Sequence, residues 1–275
     1  MKIFYYRSSL RDFLESTEKN IGFVPTMGAL HQGHLSLVHA SKKEADITVV
    51  SIFVNPLQFN NPDDLKKYPR TITADLALLQ DAGADVVFLP QYEDLYHNKS
   101  NVSVDLGPIE NVFEGSFRPG HFQGVIEVLF AFFSIVNPQK VFFGLKDLQQ
   151  CLVVEKLIQQ HFPSIQQYNQ PTDREASGLA MSSRNKRLSR EGLVAASFIY
   201  ETLLQLSTQS GDIQKPIQMA CDELRSRNIE PEYLELVQLP EMLVLHEIDK
   251  RKRMALVFAG YIEGVRLIDN VLIPQ

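Results

Sequence analysis

Seven of the eight residues Ile47–Val54, ITVVSIFV, are β-branched or apolar, at positions that would face both sides of a strand. A strand of this kind has no side to give to water. It belongs in the middle of a parallel sheet covered on both faces by helices. Parallel strands need long crossover connections, and the flanking sequence supplies them. The patterning predicts further strands over Ile21–Val24, Asp85–Leu89, Lys140–Phe143 and Ile165–Asn169. Between them it predicts helices over His34–Glu44, Asp63–Ala82, Phe122–Val136 and Asp147–His161. This order implies an α/β protein with a Rossmann-like, doubly wound parallel sheet.

Past the polar stretch Thr172–Arg187 the rhythm changes. Two helices are expected over Arg190–Leu206 and Ile213–Arg227. Strand-like runs follow at hairpin spacing, Tyr233–Leu239, Met254–Ala259 and Val265–Leu272. The expectation is a Rossmann-like domain over residues 1–176 and a smaller α+β domain over 177–275 that closes over the site. The basic cluster Lys250–Arg253 reads as a solvated turn between strands rather than an anion patch.

Chemistry concentrates where strands end. After Val24 comes PTMGALHQGH and then the start of a helix. His31 and His34, three residues apart, share a face at that helix start. A helix N-terminus carries partial positive charge and unpaired N–H groups, and Gly33 lets a ligand approach the backbone. The two imidazoles could donate to phosphate oxygens as charge develops during displacement at phosphorus, although such residues also serve as caps. Lys146 offers a compact cation, and Asp147 beside it could be an N-cap. Ser182, Ser183 and Arg184 form a donor-rich loop suited to polyphosphate, though an interdomain linker is commonly polar as well. Gln58 and Gln150 are neutral amides able to take hydroxyl and carboxylate oxygens, with Met27 and Phe59 as apolar wall. Arg118 and His121 fall in a tight loop before the apolar helix, as turn residues or as reach toward the site or a partner subunit.

The bulk numbers exclude other classes. A net charge of −6 argues against nucleic acid as the main partner. Cys151 and Cys221 match no metal or redox spacing and read as free thiols. No run approaches the ~18 apolar residues of a membrane helix, and the start MKIFYYRSSLRDFLES lacks the apolar core of a signal peptide. A soluble, cytoplasmic protein is expected. There is no GxxxxGK[ST], GxGxxG, HExxH or GxSxG motif.

Five ordered stretches carry a resemblance: PTMGALHQGHLSLV at Pro25–Val38, VSIFVNPLQFNNPDDLKKYPR at Val50–Arg70, FRPGHFQGV at Phe117–Val125, FFGLKDLQQ at Phe142–Gln150 and GLAMSSRN at Gly178–Asn185. Through them the chain resembles the pantothenate synthetase (pantoate–β-alanine ligase) family. That family shares a HIGH-type motif with class I aminoacyl-tRNA synthetases, and its MSSRN loop is similar in role to their KMSKS loop. The resemblance implies ATP-dependent condensation of pantoate with β-alanine through pantoyl adenylate, releasing AMP and pyrophosphate. By motif, Met27, Gly28, Ala29, Leu30, His31, Gln32, Gly33 and His34 would line the ATP site, with His34 as proton donor and His31 beside it.

Gly144, Leu145, Lys146 and Asp147 would also hold ATP, with Lys146 on its phosphates. Asp173 would contact it mainly through backbone, and Met181, Ser182, Ser183 and Arg184 would close over it. His34, His31, Lys146 and Arg184 are thus the expected catalytic set. Gln58 would contact pantoate and β-alanine, and Gln150 pantoate. Mg²⁺ would accompany ATP, held largely by phosphate oxygens and water, with Asp75 as the one protein candidate near it. A homodimer is expected. Leu145, Asp173 and Ser177 depart from the family pattern. Another HIGH-motif nucleotidyltransferase, or a nucleotide-binding protein without turnover, is the alternative.

Overall fold

The computed structural model describes residues 1–97 and 102–274. The chain divides into two compact units. The first comprises Met1–Leu106, Glu114–Leu145 and Gln150–Pro171. The second comprises Gly107–Phe113, Lys146–Gln149 and Thr172–Gln275. Two short segments inside the first 171 residues therefore group with the second unit.

In chain order, the first unit carries β1 (Lys2–Phe4), α1 (Arg7–Glu15), β2 (Ile21–Thr26), α2 (Gln32–Glu44), β3 (Ile47–Ile52), α3 (Pro62–Lys67), α4 (Ile72–Asp81), β4 (Val86–Phe88), α5 (Tyr92–Leu95), α6 (Glu114–Phe117), α7 (His121–Val136), β5 (Lys140–Gly144), all but the first two residues of α8 (Leu148–His161), and β6 (Gln166–Gln170). Its six strands form one all-parallel sheet in the order β1-β4-β3-β2-β5-β6. Every residue of β3 is buried, as a strand without a water-facing side must be. Its alternate residues serve two cores. Val50 and Ile52 pack with Val24, Leu37, Val38 and Leu79 on the face covered by α2 and α4. On the other face Phe132 of α7 packs against Phe23 at 5.5 Å and Phe88 at 6.1 Å.

The chain order of the strands reverses between β2 and β5, so the crevice beyond their carboxyl ends is the topological switch point where such sheets bind ligands. The loops PTMGAL and GLKD leave the sheet there.

The helix expected over Asp63–Ala82 is two helices, α3 and α4. Pro69 drives Tyr68 out of the helical region, to ψ 125°, and ends the first. β1 and α1 lie outside the elements read from the sequence, since a three-residue edge strand carries almost no periodic signal.

The second unit holds α9 (Arg190–Ser207), β7 (Gly211–Asp212), α10 (Gln214–Ser226), β8 (Glu230–Gln238), β9 (Leu243–Leu245), β10 (Glu247–Ile248), β11 (Met254–Ile262) and β12 (Val265–Leu272). Its main sheet is antiparallel, β12-β11-β8-β9. α9 and α10 bury Ala196, Ile199, Leu203 and Leu224 against Leu234, Leu256 and Leu267. Lys250–Lys252 form the turn before β11, where Arg251 pairs with Asp249 at 2.8 Å. Cys151 and Cys221 are free thiols.

Candidate active site

Where β2 ends, the chain turns through two successive left-handed residues, Gly28 (φ 82°) and Ala29 (φ 51°). For a residue with a Cβ this conformation costs about 1–2 kcal/mol, so something must hold it. Asp75 does. Its Oδ2 accepts the N–H of Ala29 at 3.0 Å, and its Oδ1 the N–H of Leu30 at 2.8 Å and the Thr71 hydroxyl at 3.1 Å. The Thr26 hydroxyl, donating to the Ser51 carbonyl, accepts the Gly28 N–H from the other side.

The turn delivers His31 as the N-cap of α2 and His34 one turn in, with ring centroids 4.0 Å apart. His34 Nδ1 accepts the His31 backbone N–H at 3.3 Å. A neutral imidazole whose Nδ1 accepts carries its proton on Nε2, so His34 presents an N–H donor. Gln32 is exposed, and Gly33 lies within the first turn of α2.

Gln58 sits in the 3₁₀ turn Pro56–Gln58 that follows β3. It is buried, and each of its polar groups is directed. Its Oε1 accepts from Asn55 Nδ2 at 3.2 Å, and its Nε2 donates to the Met27 sulfur at 3.0 Å. Its backbone carbonyl accepts from His121 Nδ1 at 2.8 Å. Thioether sulfur is a weak acceptor, so a ligand oxygen would be a better partner for that amide N–H.

Asn55 also donates to the Gly124 carbonyl at 2.9 Å and accepts from the Tyr96 hydroxyl at 3.0 Å. Burial, reinforced by Glu127 and Tyr92, pushes the Tyr96 phenol upward, so it stays protonated and donating. Gly124 is what lets α7 lie on this turn. A Cβ there would overlap the Leu57 carbonyl and lie 2.6 Å from the Gln58 nitrogen.

Asn55, Tyr96 and Gly124 extend the set read from sequence, which left His121 open between a turn and a reach toward the site. One signal was available, a glycine inside the largely apolar helix FQGVIEVLF, which marks close backbone approach. Arg118 pairs with Glu114 at 3.5 Å, and its Nη1 lies 3.1 Å from His121 Nε2, so the RPGH loop holds the Gln58 turn.

β5 runs into a 3₁₀ turn, Leu145–Asp147. Gln150 is half-buried on α8, while its neighbour Gln149 is buried with its amide on the Ile109 and Val112 carbonyls at 2.8 Å.

Within the second unit, Lys146 has its ammonium 3.8 Å from Asp147 and its carbonyl on Asn270 Nδ2 at 3.0 Å. Lys146, Ser182 and Asn185 line one small cavity with Arg266 and Asp269. The loop before it is a tight hairpin. Met181 N–H donates to the Asp173 carbonyl at 2.9 Å and Glu175 N–H to Leu179 at 2.8 Å. The backbone of Asp173 is thus partly committed to that hairpin, and Ser177 lies exposed at its tip. Arg174 fixes the hairpin by a bidentate pair with buried Asp269, at 2.7 and 2.9 Å, and stacks 3.6 Å over Tyr200. Ser182 then caps the turn Ser183–Arg187 by accepting the Arg184 N–H at 3.2 Å.

The donor set does not fit a resident divalent cation. Asp75 is 1% exposed with both oxygens engaged, and among the described residues no group of three His, Cys, Asp or Glu side chains could hold a metal ion. No described helix is long and apolar enough to cross a membrane.

A parallel sheet with a switch-point crevice, a strand–turn–helix bearing paired histidines and a buried amide beside it define an α/β protein of the nucleotide-binding kind. The chain belongs to the pantoate–β-alanine ligase family, whose model matches residues 2–272. It is 43% identical over 267 residues to a pantothenate synthetase of Cytophaga hutchinsonii, covering 94% of each chain. A crystal structure of pantothenate synthetase from Thermus thermophilus superposes with a TM-score of 0.92 at 38% identity over the full length of both chains. The pantoate–β-alanine ligase of Francisella tularensis, crystallised with β-γ ATP and β-alanine, superposes with a TM-score of 0.83 at 35% identity, covering 99% of this chain and 97% of that one.

Proposed function

We propose that this chain makes pantothenate from pantoate and β-alanine at the expense of ATP, in two displacements. A pantoate carboxylate oxygen attacks the α-phosphorus, the bond to the β-phosphate breaks, and pyrophosphate leaves. The β-alanine nitrogen then attacks the acyl carbon of the mixed anhydride. A C–N bond forms, the C–O bond to AMP breaks, and the amine gives up a proton. The protein's share is positioning and charge stabilisation, because a carboxylate becomes a competent acyl donor only once AMP can leave.

In this reading His34 donates from Nε2 to phosphate oxygen as charge develops, with His31 beside it. Met27 to Gly33, Gly144, Leu145, Asp147, Asp173 and Met181 to Ser183 hold the nucleotide, and Lys146 and Arg184 take its phosphates. Gln58 and Gln150 take the pantoate oxygens. The observation that carries the reading is the β2–Gly28–Ala29–His31–His34 run beside the buried Gln58 amide, in a chain matched to the family along residues 2–272. Mg²⁺ enters as part of the nucleotide substrate, carried by phosphate oxygens and water.

The free thiols support a reducing, cytoplasmic setting. The homodimer expected from the family is checked by light scattering on the eluting protein. The central test is incubation with ATP, Mg²⁺, pantoate and β-alanine. AMP and pantothenate should form in equal amounts, and pantoate alone should support ATP–pyrophosphate exchange. No AMP above background retires the proposal.

A further inference from the structure

We infer that Asp75 is a positioning residue for the two histidines, and that its carboxylate serves the backbone rather than a metal ion. Three consecutive amides enter α2, and each has a side-chain acceptor. Ala29 and Leu30 donate to the two oxygens of Asp75, and His31 donates to the ring of His34. Successive N–H groups in a left-handed turn converge on one concave point, which suits an anion. Here a carboxylate of the protein itself fills it. Gly28 completes the fit, since a Cβ there would lie 3.1 Å from Asp75 Oδ2.

The carboxylate is fixed in turn from its own side. Asp75 stands in the first turn of α4, and Thr71, the N-cap of that helix, donates its hydroxyl to Oδ1. The break at Pro69 is what places a helix start at this point. Asp75 therefore acts on the reaction through the turn, by setting where His31 and His34 stand.

The inference rests on the ligase reading for its activity arm only. Asp75→Asn keeps the size and one acceptor but sets an N–H against a backbone N–H. In ligand-free, Mg²⁺-free protein, amide exchange at Ala29 and Leu30 should quicken about tenfold or more, while the rest of β2 and α2 keeps its protection. In the assay kcat should fall about a hundredfold, the scale of a misplaced catalytic group. KM for pantoate and the Mg²⁺ concentration for half-maximal rate should stay at the wild-type values.

Unchanged exchange at both amides overturns the inference. So does a half-saturating Mg²⁺ raised roughly tenfold or more, the mark of a lost metal contact. If the Asn variant does not fold, Asp75→Glu is used. It keeps the carboxylate but lengthens it by one methylene, so faster exchange and a lower kcat are expected, and a wild-type kcat overturns the inference. If the wild-type protein makes no AMP, the ligase reading fails, and the exchange arm still decides the task of Asp75.

Discussion

A histidine ring can accept at one nitrogen while donating at the other, and at His34 the fold selects the assignment. The His31 N–H on Nδ1 leaves the proton at Nε2. Removing that ring takes away both the outward donor and an acceptor of the turn. His34→Ala should therefore lower kcat by about two orders of magnitude, the usual scale for one transition-state donor. An unchanged kcat would end its catalytic role. The pairing of His31 with His34 was legible in the sequence because their three-residue spacing is local. The task of Asp75 was not, because its partners lie 45 and 46 residues away. The same holds for Asn55, which looks like an ordinary loop residue until the Gly124 carbonyl is seen 69 residues further on.

At the level of elements, α7 shows how packing sets a site. Its one glycine admits the backbone of the Pro56–Gln58 turn, which aims the Gln58 amide. Gly124→Ala should destabilise the protein by about 1–3 kcal/mol, the cost of overpacking against backbone that cannot yield. It should also raise KM for pantoate. A urea midpoint and a pantoate titration check the two effects separately, and wild-type values in both would deny the close approach. The central strands were legible because β3 and β2 are predominantly apolar and β-branched on both faces. The split of the predicted Asp63–Ala82 helix turned on Pro69, a boundary that apolar spacing passes over. β1 needs its neighbour β4 to be a strand at all.

For the whole molecule, acid stability has an identifiable contributor at an exposed turn of the second unit. Glu263, at the β11–β12 turn, accepts the hydroxyl and the backbone N–H of Ser189, the N-cap of α9. Those hydrogen bonds, the side-chain one first, hold its carboxyl below the usual value of 4.5. A depressed folded value means the stabilisation is full above about pH 4.5 and is lost as pH falls through the lower folded value. Glu263→Gln should lower the urea midpoint at neutral pH and converge with wild type in acid. A gap that persists at low pH would show that the charge is not what matters.

The division into units bears on how the gene can be cut. The chain passes between them at 106/107, 113/114, 145/146, 149/150 and 171/172. A fragment stopping near residue 176 would keep Gly107–Phe113 and Lys146–Gln149 but none of the strands of the second unit. Buried Phe113 would lose the Tyr233 ring that it meets at 5.1 Å. No single cut yields two self-sufficient halves. Splitting this enzyme for reporter or complementation uses calls for breakpoints inside one unit, at an exposed turn such as Lys250–Lys252, rather than at the apparent seam.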